Sequence, residues 1–187
     1  VRTPNGPQGV TCDEPVSLLD LFPTVLDCAN KNIPPILQGM SLKPLFDHPD
    51  QRLNRDGVHI QFNRFGVYHD GYGALYPIRC VVDKQYKLAI NLLDDKDELY
   101  DLKSDPSELN NLIDDENLNH VKERLHDLIL KELDRTNDPF RSFLWGERPW
   151  RKVAPKAHFH GLETRKDATR PIGFHNDPNN PWGDPDC

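Results

Sequence analysis

Several features that mark common classes of protein are missing from this 187-residue sequence. Its four cysteines, Cys12, Cys28, Cys80 and Cys187, include no Cys-x-x-Cys pair, so neither a zinc ribbon nor a dithiol redox motif is supported. No run approaches the roughly 18 apolar residues of a membrane span, and no basic start leads into the apolar stretch of a signal peptide. Basic residues number 23 against 30 acidic ones, for a net charge of −7. We therefore expect neither a membrane nor a nucleic acid as a partner.

The residues that are present can form a core, with many turn formers between its elements. Hydrophobic residues make up 36% of the chain, the mean hydropathy is −0.71 and 17 residues are proline. This composition predicts a modest core with much loop, and it excludes collagen, a coiled coil and full disorder. The first nine residues are rich in turn formers and contain no methionine, so we expect the native beginning to lie upstream.

A short helix is predicted at about 20–30, where apolar residues recur at steps of three and four. Ser17 is its expected N-cap, and Pro23 fits only if it lies in the first turn. The helix should end just before two prolines, because Asn30 tolerates a left-handed conformation and proline cannot continue a helix.

The middle of the chain predicts an antiparallel sheet covered by a helix. Strands are expected at 58–62, 78–82, 86–91 and around 99–100. In the first strand Val58, Ile60 and Phe62 alternate with polar residues, so we expect this apolar face to be buried. A long amphipathic helix is expected at 118–133, with a polar face turned to solvent: Lys122, Glu123, Arg124 and Lys131. The predicted fold class is α+β, with about four antiparallel strands packed by one long helix.

Four segments resemble, in their order and spacing, the C-terminal part of type I sulfatases of the alkaline-phosphatase-like superfamily. They are residues 16–27 (VSLLDLFPTVLD), 38–45 (QGMSLKPL), 79–88 (RCVVDKQYKL) and 98–112 (ELYDLKSDPSELNNL). Two later segments, DPFRS at 138–142 and RPWRK at 148–152, are similar to bacterial YidJ-type sulfatases, so the resemblance covers about residues 1–155.

The resemblance and the composition together predict a division of the chain into three parts. Residues 1–45 would be the C-terminal remnant of the α/β catalytic domain, and residues 46–145 would form the α+β C-terminal subdomain. Residues 146–187 would be an irregular, proline-rich tail.

The resemblance also implies sulfate-ester hydrolysis by a formylglycine, made from the cysteine of a Cys-x-Pro-x-Arg motif, with Ca²⁺ held by aspartates. None of the four cysteines begins such a motif, and the serine form fails at Ser104 because Glu108 stands in place of the arginine. Other acidic and histidine pairs are explained better as solvated acids, helix-start charges or turn residues: Asp94-Asp95, Asp114-Asp115 and His69-Asp70. We therefore expect no catalytic residue, metal ligand or cofactor in this chain, although the complete enzyme would need Ca²⁺ and formylglycine.

A substrate-facing role is implied for the segment around the first two strands. The residues of this segment that are suited to bind a sulfated sugar are Asn63, Arg64, His69 and Arg79. A guanidinium offers a planar fork to sulfate or carboxylate, and a histidine can hydrogen-bond a hydroxyl. The alternative is structural, since an arginine beside a strand is often in a surface ion pair and a histidine near glycine is often a turn residue.

Three functions remain open on the sequence alone. The first is a C-terminal fragment of a sulfatase, inactive by itself, whose parent enzyme hydrolyses a sulfate ester of a carbohydrate. The second is a fragment of a phosphonate or phosphate monoester hydrolase of the same superfamily. The third is a stand-alone glycan-binding module, against which the net charge of −7 argues because polyanion binding needs a basic face. A homo-oligomer is left open, and the sequence indicates no compartment.

Overall fold

The computed structural model of the protein describes residues 9–65, 75–91, 96–138 and 146–152. The helices are α1, Leu21–Cys28; α2, Lys43–Asp47; and α3, Asn119–Arg135. The strands are β1, Val58–Phe65; β2, Leu75–Val82; β3, Tyr86–Asn91; and β4, Glu98–Asp101. Single turns of 3-10 helix, Leu18–Asp20 and Glu116–Leu118, precede α1 and α3. The predicted α+β class is confirmed.

Both ends of α1 form as the sequence predicts. Ser17 caps the 3-10 turn in a capping box, in which Asp20 Oδ2 accepts a hydrogen bond from Ser17 N at 2.7 Å. Pro23 lies in the first turn of α1, where the absent N–H costs no helical hydrogen bond. Asn30 follows the helix with a φ of 52°, the left-handed conformation that asparagine tolerates.

Helix α1 is hydrogen-bonded to the loop that leads to α2. Asp20 Oδ1 accepts from Met40 N at 2.9 Å. The two backbones approach so closely that a Cβ on Gly39 would lie 2.1 Å from the carbonyl oxygen of Leu19, so only glycine fits there. These contacts give a structural reason for two segments of the sulfatase resemblance, residues 16–27 and 38–45.

The strands form one antiparallel sheet in the order β1-β2-β3-β4, which is the predicted meander. In its register Val81 lies opposite Leu88, and Leu88 lies opposite Leu99. Residues directly opposite each other point to the same face of a sheet, so these three form one apolar surface. Strand β1 continues to Phe65 and β2 begins at Leu75, beyond the ends that the sequence predicts.

Helix α3 packs on that surface and closes the core. The buried residues shared by the sheet and the helix are Val81, Leu88, Ile90, Leu99, Val121, Leu125, Ile129 and Leu133. Full burial of one such side chain contributes about 1.5–3 kcal/mol to the free energy of unfolding. The long amphipathic helix that the sequence predicts is therefore confirmed in extent and in apolar face.

The prediction that Lys122 faces solvent is wrong. Lys122 is 1% exposed, and its Nζ donates to the carbonyl oxygens of Ile113 at 2.8 Å and Asp115 at 3.1 Å. The segment before α3 passes over the first turn of the helix, so the lysine stem is covered while the amine binds backbone carbonyls. Burial lowers the pKa of the Lys122 amine below its ordinary value of 10.5, and Asp115 acts in the opposite direction. Arg124 and Lys131 are exposed as predicted, and Glu123 is half-buried.

The expectation of a buried apolar face on β1 is also wrong in this chain. Ile60 is 48% exposed and Phe62 is 52% exposed. Ile60 lies opposite Cys80, whereas Val81, the next residue of β2, points to α3. The two residues of β1 therefore lie on the face of the sheet opposite to the helix, because alternate residues of a strand point to opposite faces.

Contacts cross the predicted domain boundary at 45–46. The boundary itself stays a prediction. Arg55 pairs with the fully buried Asp20 through two hydrogen bonds, of 3.1 and 2.8 Å. Glu14 accepts from Leu53 N and forms an ion pair with Lys84. No helix in the described part of the chain has the length and apolar character to cross a membrane.

Candidate functional site

The predicted substrate-binding residues centre on the β1–β2 hairpin. Asn63 and Arg64 belong to β1, and Arg79 belongs to β2. The structure brings Asn63 and Arg79 together, with Arg79 Nη1 2.8 Å from Asn63 Oδ1. His69 and the side chain of Arg64 lie outside the described residues. We use the name recognition edge for the predicted set Asn63, Arg64, His69 and Arg79.

Arg79 is buried, at 2% exposure, and its guanidinium binds a carboxylate in a fork-to-fork arrangement. Nε donates to Asp138 Oδ2 at 2.7 Å, and Nη2 donates to Asp138 Oδ1 at 3.0 Å. The remaining nitrogen, Nη1, donates to Asn63 Oδ1 and to the carbonyl oxygen of Ile78, the latter at 2.9 Å. The ion pair foreseen as the alternative for Arg79 therefore exists, but it is buried. Direct contact of Arg79 with a substrate stays a prediction.

Asp138 reaches Arg79 because the chain reverses directly after α3. Asn137 has a φ of 50°, and Asp138 N donates to the carbonyl oxygen of Leu133 at 2.9 Å, as at the left-handed end of a helix. The Asp138 side chain, 2% exposed, is thereby held against β2. Sequence reasoning singled out the DPFRS segment only by resemblance, and the role of its aspartate went unpredicted.

The side-chain amide of Asn63 has a defined orientation. A guanidinium can only donate hydrogen bonds, so the atom that faces Arg79 Nη1 must be the carbonyl oxygen of the amide. The donor group, Nδ2, is then on the other branch of the amide. Asn63 is exposed, so this edge of the sheet presents an oriented amide to solvent.

The described residues do not fit the cofactors that a sulfatase requires. They contain no cluster of three or more His, Cys, Asp or Glu side chains able to hold a metal ion. Cys12 and Cys28 are exposed outside any Cys-x-Pro-x-Arg sequence, and Cys80 is buried. Burial raises the pKa of the Cys80 thiol to about 12, so this thiol stays protonated near neutral pH. Ca²⁺ and formylglycine chemistry is therefore not assigned to any of these residues.

Comparison with known proteins identifies the family. Residues 1–135 match the family model described as N-sulphoglucosamine sulphohydrolase, C-terminal. The chain belongs to this sulfatase C-terminal family. The resemblance that the sequence motifs predict is thus confirmed.

Two sulfatases illustrate the relationship. The uncharacterized sulfatase YidJ of Escherichia coli K12 is 40% identical over 154 residues, which are 82% of this chain and 29% of that protein. A solved structure of a 2-O GAG sulfatase has a TM-score of 0.62 and 29% identity, and the match covers 72% of this chain and 28% of that one. The chain therefore spans under a third of the length of these sulfatases.

A phosphonate monoester hydrolase shares the fold. The enzyme from Silicibacter pomeroyi has a TM-score of 0.60 at 22% identity, and the match covers 76% of this chain and 29% of the other. At this identity the similarity establishes a common fold only.

The second YidJ-like segment of this sulfatase module, residues 148–152, is a strap that binds the end of the sheet to α3. Arg148 Nη1 and Trp150 Nε1 donate to the buried carboxylate of Asp97, at 3.2 and 2.9 Å. Arg151 Nη1 lies 2.8 Å from Nδ1 of His126, which is fully buried on α3. Sequence reasoning missed Asp97 and His126, since no local pattern links either residue to a segment about 25 to 50 positions away.

Proposed function

We propose that this chain is the C-terminal module of an enzyme that hydrolyses sulfate esters of a carbohydrate. The match of residues 1–135 to the sulfatase C-terminal family carries this proposal. The names of the family and of the solved relative point to sugars, since one is an N-sulphoglucosamine sulphohydrolase and the other a 2-O GAG sulfatase. Formylglycine and Ca²⁺, the groups that attack and polarise the sulfate in this family, would be held by residues outside this chain.

Within the complete enzyme, the recognition edge is proposed to bind the sulfated sugar. A sulfate group and sugar hydroxyls offer oxygen acceptors, which an amide, a guanidinium and an imidazole can bind by donating hydrogen bonds. The exposed and oriented amide of Asn63 supports this role. Neighbouring Arg64 would add a charged donor, and His69 and Arg79 complete the predicted set.

The deciding experiment compares two substrates of the complete enzyme. Arg64→Ala should weaken kcat/KM for the natural sugar sulfate by roughly 1.5–3 kcal/mol, the scale of a hydrogen bond to a charged group. Activity on a small aryl sulfate, which lacks the sugar, should change far less. Lys131→Ala, an exposed cation on α3, serves as the matched control. Equal losses on both substrates would contradict the recognition role of this edge.

A phosphonate or phosphate monoester hydrolase stays the second candidate, because the fold that this chain shares with the Silicibacter pomeroyi enzyme does not separate the two chemistries. Parallel assays of the complete enzyme on an aryl sulfate and an aryl phosphonate separate the two. A higher kcat/KM on the phosphonate would replace the sulfatase proposal.

A further inference from the structure

A buried ion pair lies directly behind the exposed amide of Asn63. Asp138 and Arg79 have side chains that are 2% and 3% exposed, and they are 59 positions apart in the chain. All three guanidinium nitrogens of Arg79 donate to a side chain, two to Asp138 and one to Asn63. The three side chains thus form a continuous series from the end of α3 to the surface of β1.

The physical effect of this series is to fix one branch of the Asn63 amide. A guanidinium is planar and has its donors at fixed angles, so a carboxylate that binds two of its nitrogens also determines the direction of the third. A lysine in the place of Arg79 could not transmit direction in this way, because an ammonium group is a rotatable point charge. Burial strengthens the pair, since water does not compete for the carboxylate.

We propose that Asp138 is a positioning residue for substrate recognition, which acts through Arg79 to hold the Asn63 amide with its Nδ2 group turned toward the sulfated sugar. This inference rests on the proposed function and adds a residue from outside the recognition edge. The immobilised donor would bind an oxygen acceptor without first losing rotamer freedom.

The first test needs no ligand and uses the 187-residue chain. In NMR spectra the two Nδ2 protons of Asn63 should give a distinct, dispersed pair of signals. The substitution Asp138→Asn should shift these signals toward the averaged positions of a mobile amide. Asp20→Asn is the matched control, because Asp20 is also a buried carboxylate bound by two nitrogens of an arginine, Arg55. If Asp138→Asn does not fold, the Asn63 amide signals are measured instead in Asp138→Glu, which keeps the charge on a side chain one methylene longer. Unchanged Asn63 amide signals in these Asp138 variants would overturn the inference.

The second test measures KM and kcat of the complete enzyme on D-glucosamine-2-N,6-O-disulfate, a sugar that carries a sulfate ester. Asn63→Ala and Asp138→Asn should each raise KM by roughly two- to ten-fold, the scale of one hydrogen bond, and the double variant should match Asn63→Ala alone. Additive effects in the double variant would show a merely structural Asp138 and overturn the inference. If Asn63→Ala raises KM and Asp138→Asn does not, the inference about Asp138 is wrong and recognition by Asn63 still stands. If Asn63→Ala leaves KM unchanged, both the inference and recognition by Asn63 are wrong.

Discussion

The ammonium group of Lys122 lies 5.8 Å from the centroid of the Trp150 ring, within cation–π range. The two residues come from α3 and from the strap at 148–152, so this contact joins the helix to a segment far along the chain. His126, one turn further along α3, meets the same indole edge-on, with ring centroids 5.4 Å apart. The strap is thereby held by one helix face that carries two ionisable side chains.

Replacement of Lys122 by methionine should destabilise the protein although methionine is apolar. Lys122→Met leaves the carbonyl oxygens of Ile113 and Asp115 without their donor, at a cost of about 1–3 kcal/mol. Lys131→Met, at an exposed position of the same helix, should change the free energy of unfolding by less than about 0.5 kcal/mol. Urea denaturation of both variants is the measurement. Equal stability of the two would contradict a structural role for the Lys122 amine.

Protonation of His59 should make the protein less stable in mild acid. Burial lowers the pKa of His59 below its ordinary value of 6.5; Glu132 opposes this shift, while Arg135 reinforces it. The unfolded chain then binds more protons than the folded one, so stability is fully present above about pH 6.5 and declines as pH falls through the lowered pKa. His59→Gln should flatten the stability profile in this window, whereas His120→Gln, at an exposed position, should not. Thermal melts from pH 7.5 down to 5 would check this.

The strands and the long helix could be predicted because their apolar residues alternate or recur within a few positions. The same local signal could not place Lys122, since its partners are backbone carbonyls of the preceding segment. Nor could alternation along β1 tell which of its two faces α3 covers. Ile60 and Phe62 have the expected period, but they lie on the face opposite to the helix.

The candidate site was predicted only in part. Resemblance singled out Asn63 and Arg79, whereas the ion pair between Arg79 and Asp138 depends on a contact across 59 positions. Sequence spacing carries no information about such a contact. It arises from the antiparallel register and from the left-handed turn at Asn137.

The 187-residue chain should associate through the apolar surface around α1. Leu18 is 85% exposed, Phe22 57% and Val25 62%, so several large side chains lie side by side in water. Phe22→Glu with Val25→Glu should shift the chain toward a monomer in sedimentation velocity. Leu109→Glu, at an 80% exposed position in a loop, is the control and should have no such effect. A wild-type chain that is monomeric at all concentrations would contradict the prediction.

The chain by itself should hydrolyse no aryl sulfate, with or without Ca²⁺. The reason is that none of its four cysteines begins a Cys-x-Pro-x-Arg motif. Release of nitrophenol from an aryl sulfate, followed with the purified chain and increasing Ca²⁺, is the measurement. Turnover that depends on the metal and copurifies with the chain would disprove this expectation.

The order of the sheet has a consequence for how the module folds. Because β1 to β4 pair in chain order, each strand pairs with its neighbour in the chain, and such local pairing favours early formation of the sheet. The pair of Arg79 with Asp138 spans 59 positions and requires α3 to be docked first. Weakening this pair should therefore speed unfolding and leave the rate of folding nearly unchanged in stopped-flow experiments. A contact that forms late in folding would then be the one that holds Asn63 in place.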